Sequence, residues 1–190
     1  LSIVPGTCVA ISMEGRRPLL SEVQALVTAS AAERPRRTVS GVDPSRVAAI
    51  LAVLQQHAGI RLHAHDVFVS SVGGARLTEP SNDAAIALAI VSAYLGRPLG
   101  RDIVAIGELG LSGELRRVRH LGARLAEAGR MGFRQAFMPA EGPGTAGQSK
   151  VLDGLRVVEV DHVRRALDLL GLQREDPSAR GDTGRPFTLH

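Results

Sequence analysis

Residues 78–95 read TEPSNDAAIALAIVSAYL, and this stretch decides the fold. From residue 81 onward it is alanine-rich and almost wholly apolar, which predicts a helix over residues 81–95 that packs very closely against a sheet. Ser81 stands at the start of this helix, where a hydroxyl is either a helix cap or a nucleophile beside amides that stabilise an oxyanion. A serine needs a neighbouring base to attack at neutral pH. Without one Ser81 is only a cap, which is the interpretation that the local sequence favours.

The surrounding pattern alternates strands with helices. Because the first strands follow one another directly, we predict a mixed α/β fold, an α+β sandwich, and not a doubly wound sheet. The predicted strands cover residues 6–14, 20–28, 38–40, 66–72, 102–106, 135–138 and 155–160, with a hairpin over 108–118. The other predicted helices begin at Asp43-Pro44 and cover 121–131 and 163–170. Residues 1–172 form one domain, and residues 173–190 are predicted to be a mobile tail because the apolar pattern stops there.

The composition excludes several classes of protein. The single cysteine, Cys8, rules out an internal disulfide and a multi-cysteine zinc site, and fits a reducing cytoplasm. The sequence contains no apolar run long enough to cross a bilayer and no charged-then-apolar leader, so we expect a cytoplasmic protein with no membrane partner. The first residue is Leu1 and not Met, which suggests a fragment of a longer protein. The net charge of +4 favours a polyanionic partner, and a soluble surface with a basic excess is an equal alternative.

The sequence contains no motif that supports a nucleotide site or a metal site. A Walker phosphate loop needs Gly-Lys-Ser/Thr, and the one lysine, Lys150, is followed by valine. Residues 142–147 (GPGTAG) are glycine-rich but lack a dinucleotide fingerprint, and we interpret them as a flexible loop. His63 and His65 stand just before a predicted strand with no further cluster, which is typical of solvated loop residues and not of a metal site.

The most specific string is residues 107–118, GELGLSGELRRV. Together with GTC at 6–8, PRR at 35–37 and TEP at 78–80, it resembles the C-terminal domain of bacterial RadA/Sms DNA-repair proteins, from about residue 6 to about residue 172. The resemblance implies the fold of the Lon proteolytic domain, which is ribosomal-protein-S5-domain-2-like. It also implies that a zinc finger and a RecA-like ATPase precede this domain. Zinc, ATP and magnesium would belong to those parts, and no cofactor is expected in this chain.

Lon is a Ser–Lys hydrolase, and the resemblance places Ser81 on its nucleophile. Counted from Gly107-Glu108, the catalytic lysine falls on Gly122, so we expect a vestigial site at Ser81 and Gly122 and no enzyme activity in this domain. Lys150 lies 28 positions further on with no obvious route to the serine. Arg124 stays protonated and cannot act as a base, which leaves His120 as the one substitute. A Ser81-dependent peptidase is the alternative.

The resemblance implies a DNA repair and recombination factor, whose RecA-like motor drives branch migration. This domain would be its assembly platform, in a hexameric ring, and a sequence-independent DNA-binding surface, with RecA as a further partner. With no Trp and one Tyr the chain offers no stacking platform for single strands, so we expect phosphate contacts to double- and single-stranded DNA. The candidate DNA-binding residues are Arg36, Arg37, Arg46, Arg116, Arg117 and Arg119. Ion pairs between some of these arginines and Glu108, Glu114 or Asp102 are an equal alternative to DNA binding. A pure assembly domain that does not contact DNA is a third.

Overall fold

The structure is a computed structural model that describes residues 3–173. The predicted tail at 173–190 lies outside the described residues except for Gln173. The strands are β1 (Thr7–Glu14), β2 (Arg17–Ala29), β3 (Arg37–Ser40), β4 (His65–Ser71), β5 (Ile103–Ala105), β6 (Glu108–Leu109), β7 (Leu115–Arg116), β8 (Gln135–Pro139), β9 (Ser149–Leu152) and β10 (Leu155–Val160). The helices are α1 (Pro44–His57), α2 (Asp83–Leu95), α3 (Leu121–Arg130) and α4 (Val163–Leu169).

Eight strands form one mostly parallel sheet in the order β3-β4-β2-β1-β5-β8-β10-β9. Strands β1, β3, β4, β5, β8 and β10 run in one direction, while β2 and β9 run against them. The remaining two strands, β6 and β7, form the predicted hairpin apart from this sheet. The sheet therefore has one edge where the parallel strands begin and an opposite edge where they end.

Both faces of the central sheet are buried. In β1, Cys8 and Ala10 belong to the larger core with α1, α2 and α4, whereas Val9 and Ile11 belong to the smaller core with α3. A strand covered on both faces needs apolar residues at successive positions, which explains the unbroken run CVAI. The predicted mixed α/β fold is confirmed.

Helix α2 occupies the place that its composition predicts. Every residue from Asp83 to Ser92 is buried, and the helix packs on β1 and β2. Alanine side chains allow a helix to approach a sheet closely because they add little bulk. At the start of β1, Gly6 has φ 87° and donates its amide to Ser92 Oγ at 2.9 Å. A Cβ at Gly6 would lie 2.2 Å from the carbonyl oxygen of Ala25, so only glycine fits this crossing.

Two local predictions need correction. Ser81 does not cap α2: residues Pro80–Asn82 form a separate 3₁₀ turn, and the Ser81 side chain bonds elsewhere. Strand β9 is absent from the predicted strands, but it pairs with β10 through the turn at Asp153, which has φ 46°. The start of α1 is as predicted, because Asp43 Oδ1 accepts the amide of Ser45 at 2.8 Å. Of the described helices, none combines the length and apolarity needed to cross a bilayer.

Candidate functional site

The Ser81 turn lies where β1 and β5 end. The carbonyl of Ser81 accepts the amide of Gly107, just beyond β5, at 3.0 Å. The carbonyl of Gly107 in turn accepts the amide of Ala84 at 3.1 Å. Gly107 has φ 152°, and a Cβ there would lie 2.7 Å from Leu115 Cδ2. This glycine therefore lets the chain turn closely around the serine.

A carboxylate and a guanidinium hold the hydroxyl of Ser81. Ser81 Oγ donates to Glu79 Oε2 at 2.8 Å and accepts from Arg124 Nη1 at 3.1 Å. Arg124 Nη2 also donates to Glu79 Oε2 at 2.9 Å, which closes a triangle of three polar groups. Ser81 is 4% exposed and the Arg124 side chain 3% exposed, whereas the Glu79 side chain is 32% exposed, so water reaches this triangle from the Glu79 side.

Arg124 also ties together the elements around the serine. Its guanidinium donates to the carbonyl of Ile11 in β1 and, through Nε, to the carbonyl of Arg119 at 2.9 Å. Glu79 accepts the amide of Met13, also in β1, at 3.0 Å. The cluster thus joins β1, the serine turn and α3. We call Ser81, Glu79 and Arg124 the serine clamp.

The clamp contains no group suited to deprotonate the serine. Burial acts to raise the pKa of Glu79, but the hydrogen bonds from Ser81, Arg124 and the Met13 amide outweigh it and hold that pKa below its ordinary value. A carboxylate with a lowered pKa is a weak general base near neutral pH. Arginine keeps its proton. Within residues 3–173, Glu79 and Arg124 are the hydrogen-bond partners of the Ser81 hydroxyl.

The amides that follow Ser81 are engaged as well. The amide of Asn82 donates to the carbonyl of Glu79 at 3.1 Å, and the amide of Asp83 donates to that of Pro80. The amide of Ala84 is bonded to Gly107. An oxyanion hole needs donors aimed at empty space, and these three amides are aimed at carbonyls of the chain.

The structure does not bring Gly122 to the serine, and this corrects the expected pairing of the two. Gly122 lies on the exposed side of α3, where a Cβ would meet no atom within 4 Å. Arg124, two residues on and therefore about 200° around the helix, is the residue of α3 that faces Ser81. His120, in the left-handed conformation with φ 57°, lines the same cleft but has no hydrogen bond to Ser81. Lys150 lies in the edge strand β9, paired with Glu141 and Glu159.

An open cleft of about 540 Å³ lies in front of the clamp. Arg117 and Arg119 line it with exposed side chains, and Glu108 lies on the same wall. Two of the candidate DNA-binding arginines therefore stand at the mouth of the serine site.

Three of the four other candidate arginines are engaged within the chain, whereas the side chain of the fourth, Arg36, is exposed. Arg46 forms a bidentate ion pair with the buried Asp83. Arg116 pairs with Glu114 at 2.7 Å and lies 3.7 Å from Glu108, as the pairing alternative predicts. Arg37 donates to the carbonyls of Leu62, His65 and Arg36 and so closes the loop before β4.

The two arginine clusters lie at opposite edges of the sheet. Arg36 and Arg37 stand where β3 begins, and Arg117 and Arg119 stand beyond the strand ends near Ser81. Strand registers put Arg37 level with Val27 and the clamp level with about Leu20. At about 3.3 Å per residue, the clusters are roughly 25 Å apart along the strands alone. The two clusters therefore lie far apart, near opposite ends of the parallel strands.

No metal site is built by the histidines that the sequence analysis considered. His65 lies in β4 and packs edge-on against Tyr94, with ring centroids 5.3 Å apart. In the part of the chain that the structure describes, no three His, Cys, Asp or Glu side chains form a group that could hold a metal ion.

Comparison with known proteins identifies relatives of this chain. The chain is 46% identical over 167 residues to the DNA repair protein RadA of Mycolicibacterium smegmatis, covering 88% of this chain and 34% of that protein. It is 40% identical over 182 residues to RadA of Mycobacterium tuberculosis, covering 95% and 38%. The family model described as subunit ChlI of Mg-chelatase matches residues 41–142, more than half of the chain. The chain belongs to this domain family and is a RadA homologue.

The RadA matches confirm the resemblance inferred from residues 107–118. RadA of Pseudomonas aeruginosa gives a third example, at 44% identity over 167 residues, which is 36% of that protein. The chain spans about a third of the length of the curated relatives that it matches. The family model is named for a chelatase subunit, whereas these individual relatives are named for DNA repair.

Sequence reasoning missed Glu79 and assigned Arg124 no structural part. Glu79 stands two residues before Ser81, a spacing at which a side chain often bonds back within a turn. Arg124 stands at helical spacing from the apolar residues Leu121 and Ala128 of the predicted helix, and this pattern could have indicated its burial.

Proposed function

We propose that this chain is a noncatalytic Lon-like domain of a DNA repair and recombination protein. In this proposal the domain serves as an assembly platform and as a sequence-independent DNA-binding surface. The names of its RadA homologues support the repair role.

The serine clamp carries the noncatalytic part of the proposal. The guanidinium of Arg124 stands against Ser81 Oγ at 3.1 Å, where a Ser–Lys hydrolase needs an amine that can lose its proton. On this view Arg124, and not Gly122, takes the position of the base. Glu79 then holds the hydroxyl proton without accepting it.

Exposed arginines support the DNA-binding part. Arg36, Arg117 and Arg119 are exposed at strand ends and loops, where their side chains reach solvent. Arginine contacts to phosphates provide affinity that depends on salt and not on base sequence. The low aromatic content supports backbone contacts to duplex DNA at least as well as to single strands.

The rest of the proposal concerns the longer parent. We propose a cytoplasmic, DNA-dependent RecA-like ATPase that acts in branch migration, assembles as a hexameric ring and cooperates with RecA. ATP, magnesium and zinc would be bound by its other domains.

A salt-titrated DNA-binding assay combined with light scattering tests this function. We expect the 190-residue chain to bind duplex DNA at low salt, with affinity falling steeply as salt rises. Binding that ignores salt, or that selects one base sequence, would contradict the phosphate model. Absence of DNA binding in a chain that self-associates would favour the pure assembly domain.

The alternative function is a Ser81-dependent peptidase, and the observation that favours it is the open cleft in front of Ser81. Labelling of the wild-type chain by a serine-reactive probe, lost in Ser81→Ala, would promote it.

A further inference from the structure

The edge of the sheet where the parallel strands begin carries arginines on several neighbouring strands. Arg101 stands two residues before β5, Arg134 stands immediately before β8, and Arg156 is the second residue of β10. At the far side of the same edge, Arg36 immediately precedes β3. We call these four residues the arginine edge. The Ser81 cleft lies at the other edge.

Three members of this edge are direct neighbours. The order β5-β8-β10 places their strands side by side, and Ile103, Gln135 and Arg156 share one register level. The amide of Arg134 donates to the carbonyl of Asp102 at 3.0 Å, and the amide of Arg156 to that of Arg134 at 2.8 Å. Neighbouring strands lie about 4.8 Å apart, so the three residues lie close together along this edge. Arg134 stands one position before the shared level, so its side chain leaves the sheet on the face opposite that of Arg156.

The side chains of this group remain available to a partner. Arg134 is 84% exposed, and its ion pair with the exposed Asp102 is long, at 3.9 Å. Water screens such a pair, so it holds the guanidinium weakly. Within residues 3–173, the side chains of Arg101 and Arg156 make no hydrogen bond or ion pair. This distinguishes them from Arg46 and Arg116.

The arginine edge is slightly shorter than one turn of duplex DNA. From β3 to β10 the order contains six strand steps, or about 29 Å at about 4.8 Å each. One turn of duplex DNA is about 34–36 Å long. Arginine binds phosphate oxygens with a planar fork and requires no particular base.

We propose that the arginine edge, Arg36 with Arg101, Arg134 and Arg156, is the main surface by which this domain contacts the phosphate backbone of duplex DNA. The assignment rests on the proposed function, because it presumes that the domain binds DNA. It moves the contact away from the Ser81 cleft and its arginines Arg117 and Arg119.

Charge reversal in the 190-residue chain tests the assignment. In Arg101→Glu/Arg134→Glu/Arg156→Glu, we expect at least about a tenfold loss of duplex affinity at low salt. The slope of log Kobs against log[salt] becomes shallower by about 2.7 if the variant no longer binds three of the phosphates. The matched control, Arg16→Glu/Arg17→Glu/Arg76→Glu, changes the net charge equally on exposed arginines beyond the opposite strand ends. We expect it to keep affinity within about threefold.

The rival arm of the experiment is Arg117→Glu/Arg119→Glu, which tests the Ser81 cleft as the DNA-binding surface. Thermal unfolding checks that every variant is folded. Greater loss in the rival arm, or equal loss in the edge variant and the matched control, overturns the arginine edge and leaves DNA binding by the domain intact. A wild-type chain that does not bind duplex DNA at low salt overturns both the edge and the proposed function.

Discussion

At the scale of single residues, Arg124 determines what the serine site can do. Its guanidinium makes hydrogen bonds to Ser81, Glu79 and the carbonyls of Ile11 and Arg119, all from a nearly inaccessible position. A lysine in this place has one nitrogen and could not reach all four partners with the same geometry. The guanidinium that stands where the proposal needs a base to be absent is therefore also a structural link.

Replacing Arg124 should destabilise the domain, because two of the residues that accept its hydrogen bonds, Ser81 and Ile11, are buried. We expect Arg124→Ala to lower the free energy of unfolding by about 3 kcal/mol, since it leaves buried partners unpaired. Arg124→Lys should cost roughly half as much, because the charge remains near Glu79. Urea unfolding monitored by circular dichroism measures both values. Equal stability of wild type and Arg124→Ala would show that the clamp contributes nothing.

The pKa of Glu79 gives the clamp a dependence on pH. That pKa is held below the ordinary value of 4.5, so the ionised carboxylate contributes stability above about pH 4.5, which is lost as the pH falls through the lowered pKa. In Glu79→Gln this contribution is absent. We expect the stability difference between wild type and Glu79→Gln to shrink from about pH 6 to about pH 3 in urea titrations. A difference that stays constant over this range would contradict the assignment.

At the scale of elements, the orientation of α3 decides whether Gly122 or Arg124 stands at the position of the base beside Ser81. Gly122 and Arg124 lie on different sides of this helix, so a lysine introduced at position 122 would extend into solvent. We expect Gly122→Lys to fold normally and to leave Ser81 unreactive toward a serine-directed probe. Its stability should be close to that of wild type, because the gain of about 0.5–1 kcal/mol from replacing a helical glycine is offset by placing a cation at the second residue of α3, near the positive end of its dipole. Reactivity gained in Gly122→Lys would restore the original alignment.

The turn after β5 should be much less tolerant. In Gly107→Ala the new methyl would lie 2.7 Å from Leu115 Cδ2, at a φ of 152° that alanine rarely adopts. We expect a loss of about 2 kcal/mol or more, measured by thermal and urea unfolding, with Gly122→Ala as the matched control. An undisturbed Gly107→Ala would mean that the serine turn is not fixed by this close approach.

Local patterns predict most of the elements, and non-local pairing sets the limit of what they predict. The alanine-rich run predicts a buried α2, and Asp43-Pro44 predicts the start of α1, because both signals lie within one segment. Strand β9 escapes prediction because its support comes from β10 across a turn and not from an apolar pattern of its own. Counting along the chain places the expected base at Gly122. A shift of two residues moves a side chain to the other side of a helix, and only the packing of α3 shows that Arg124 is the residue that faces Ser81.

At the scale of the whole molecule, charge is arranged by strand direction. The arginine edge lies where the six parallel strands begin, and the serine clamp lies where they end. The arginine clusters that we identified in the sequence contain residues that are close together along the chain. In the sheet, Arg101, Arg134 and Arg156 lie on neighbouring strands although they are distant in sequence.

Binding through phosphates predicts indifference to base sequence. We expect unlabelled duplexes of equal length but different base composition to compete equally for the chain, within about twofold, because phosphate contacts carry no direct sequence information. Fluorescence-anisotropy competition at fixed salt measures this. A preference of about tenfold or more for one duplex would require base contacts that the arginine edge does not supply.

Labelling of Ser81 tests the central claim, that this is a hydrolase fold whose serine no longer reacts. The chain is incubated with a phosphonylating serine probe beside an active serine hydrolase, and Ser81→Ala provides the background. We predict that wild type and Ser81→Ala incorporate the same low amount, while the control enzyme is labelled fully. Stoichiometric labelling of the wild-type chain that disappears in Ser81→Ala would contradict the account.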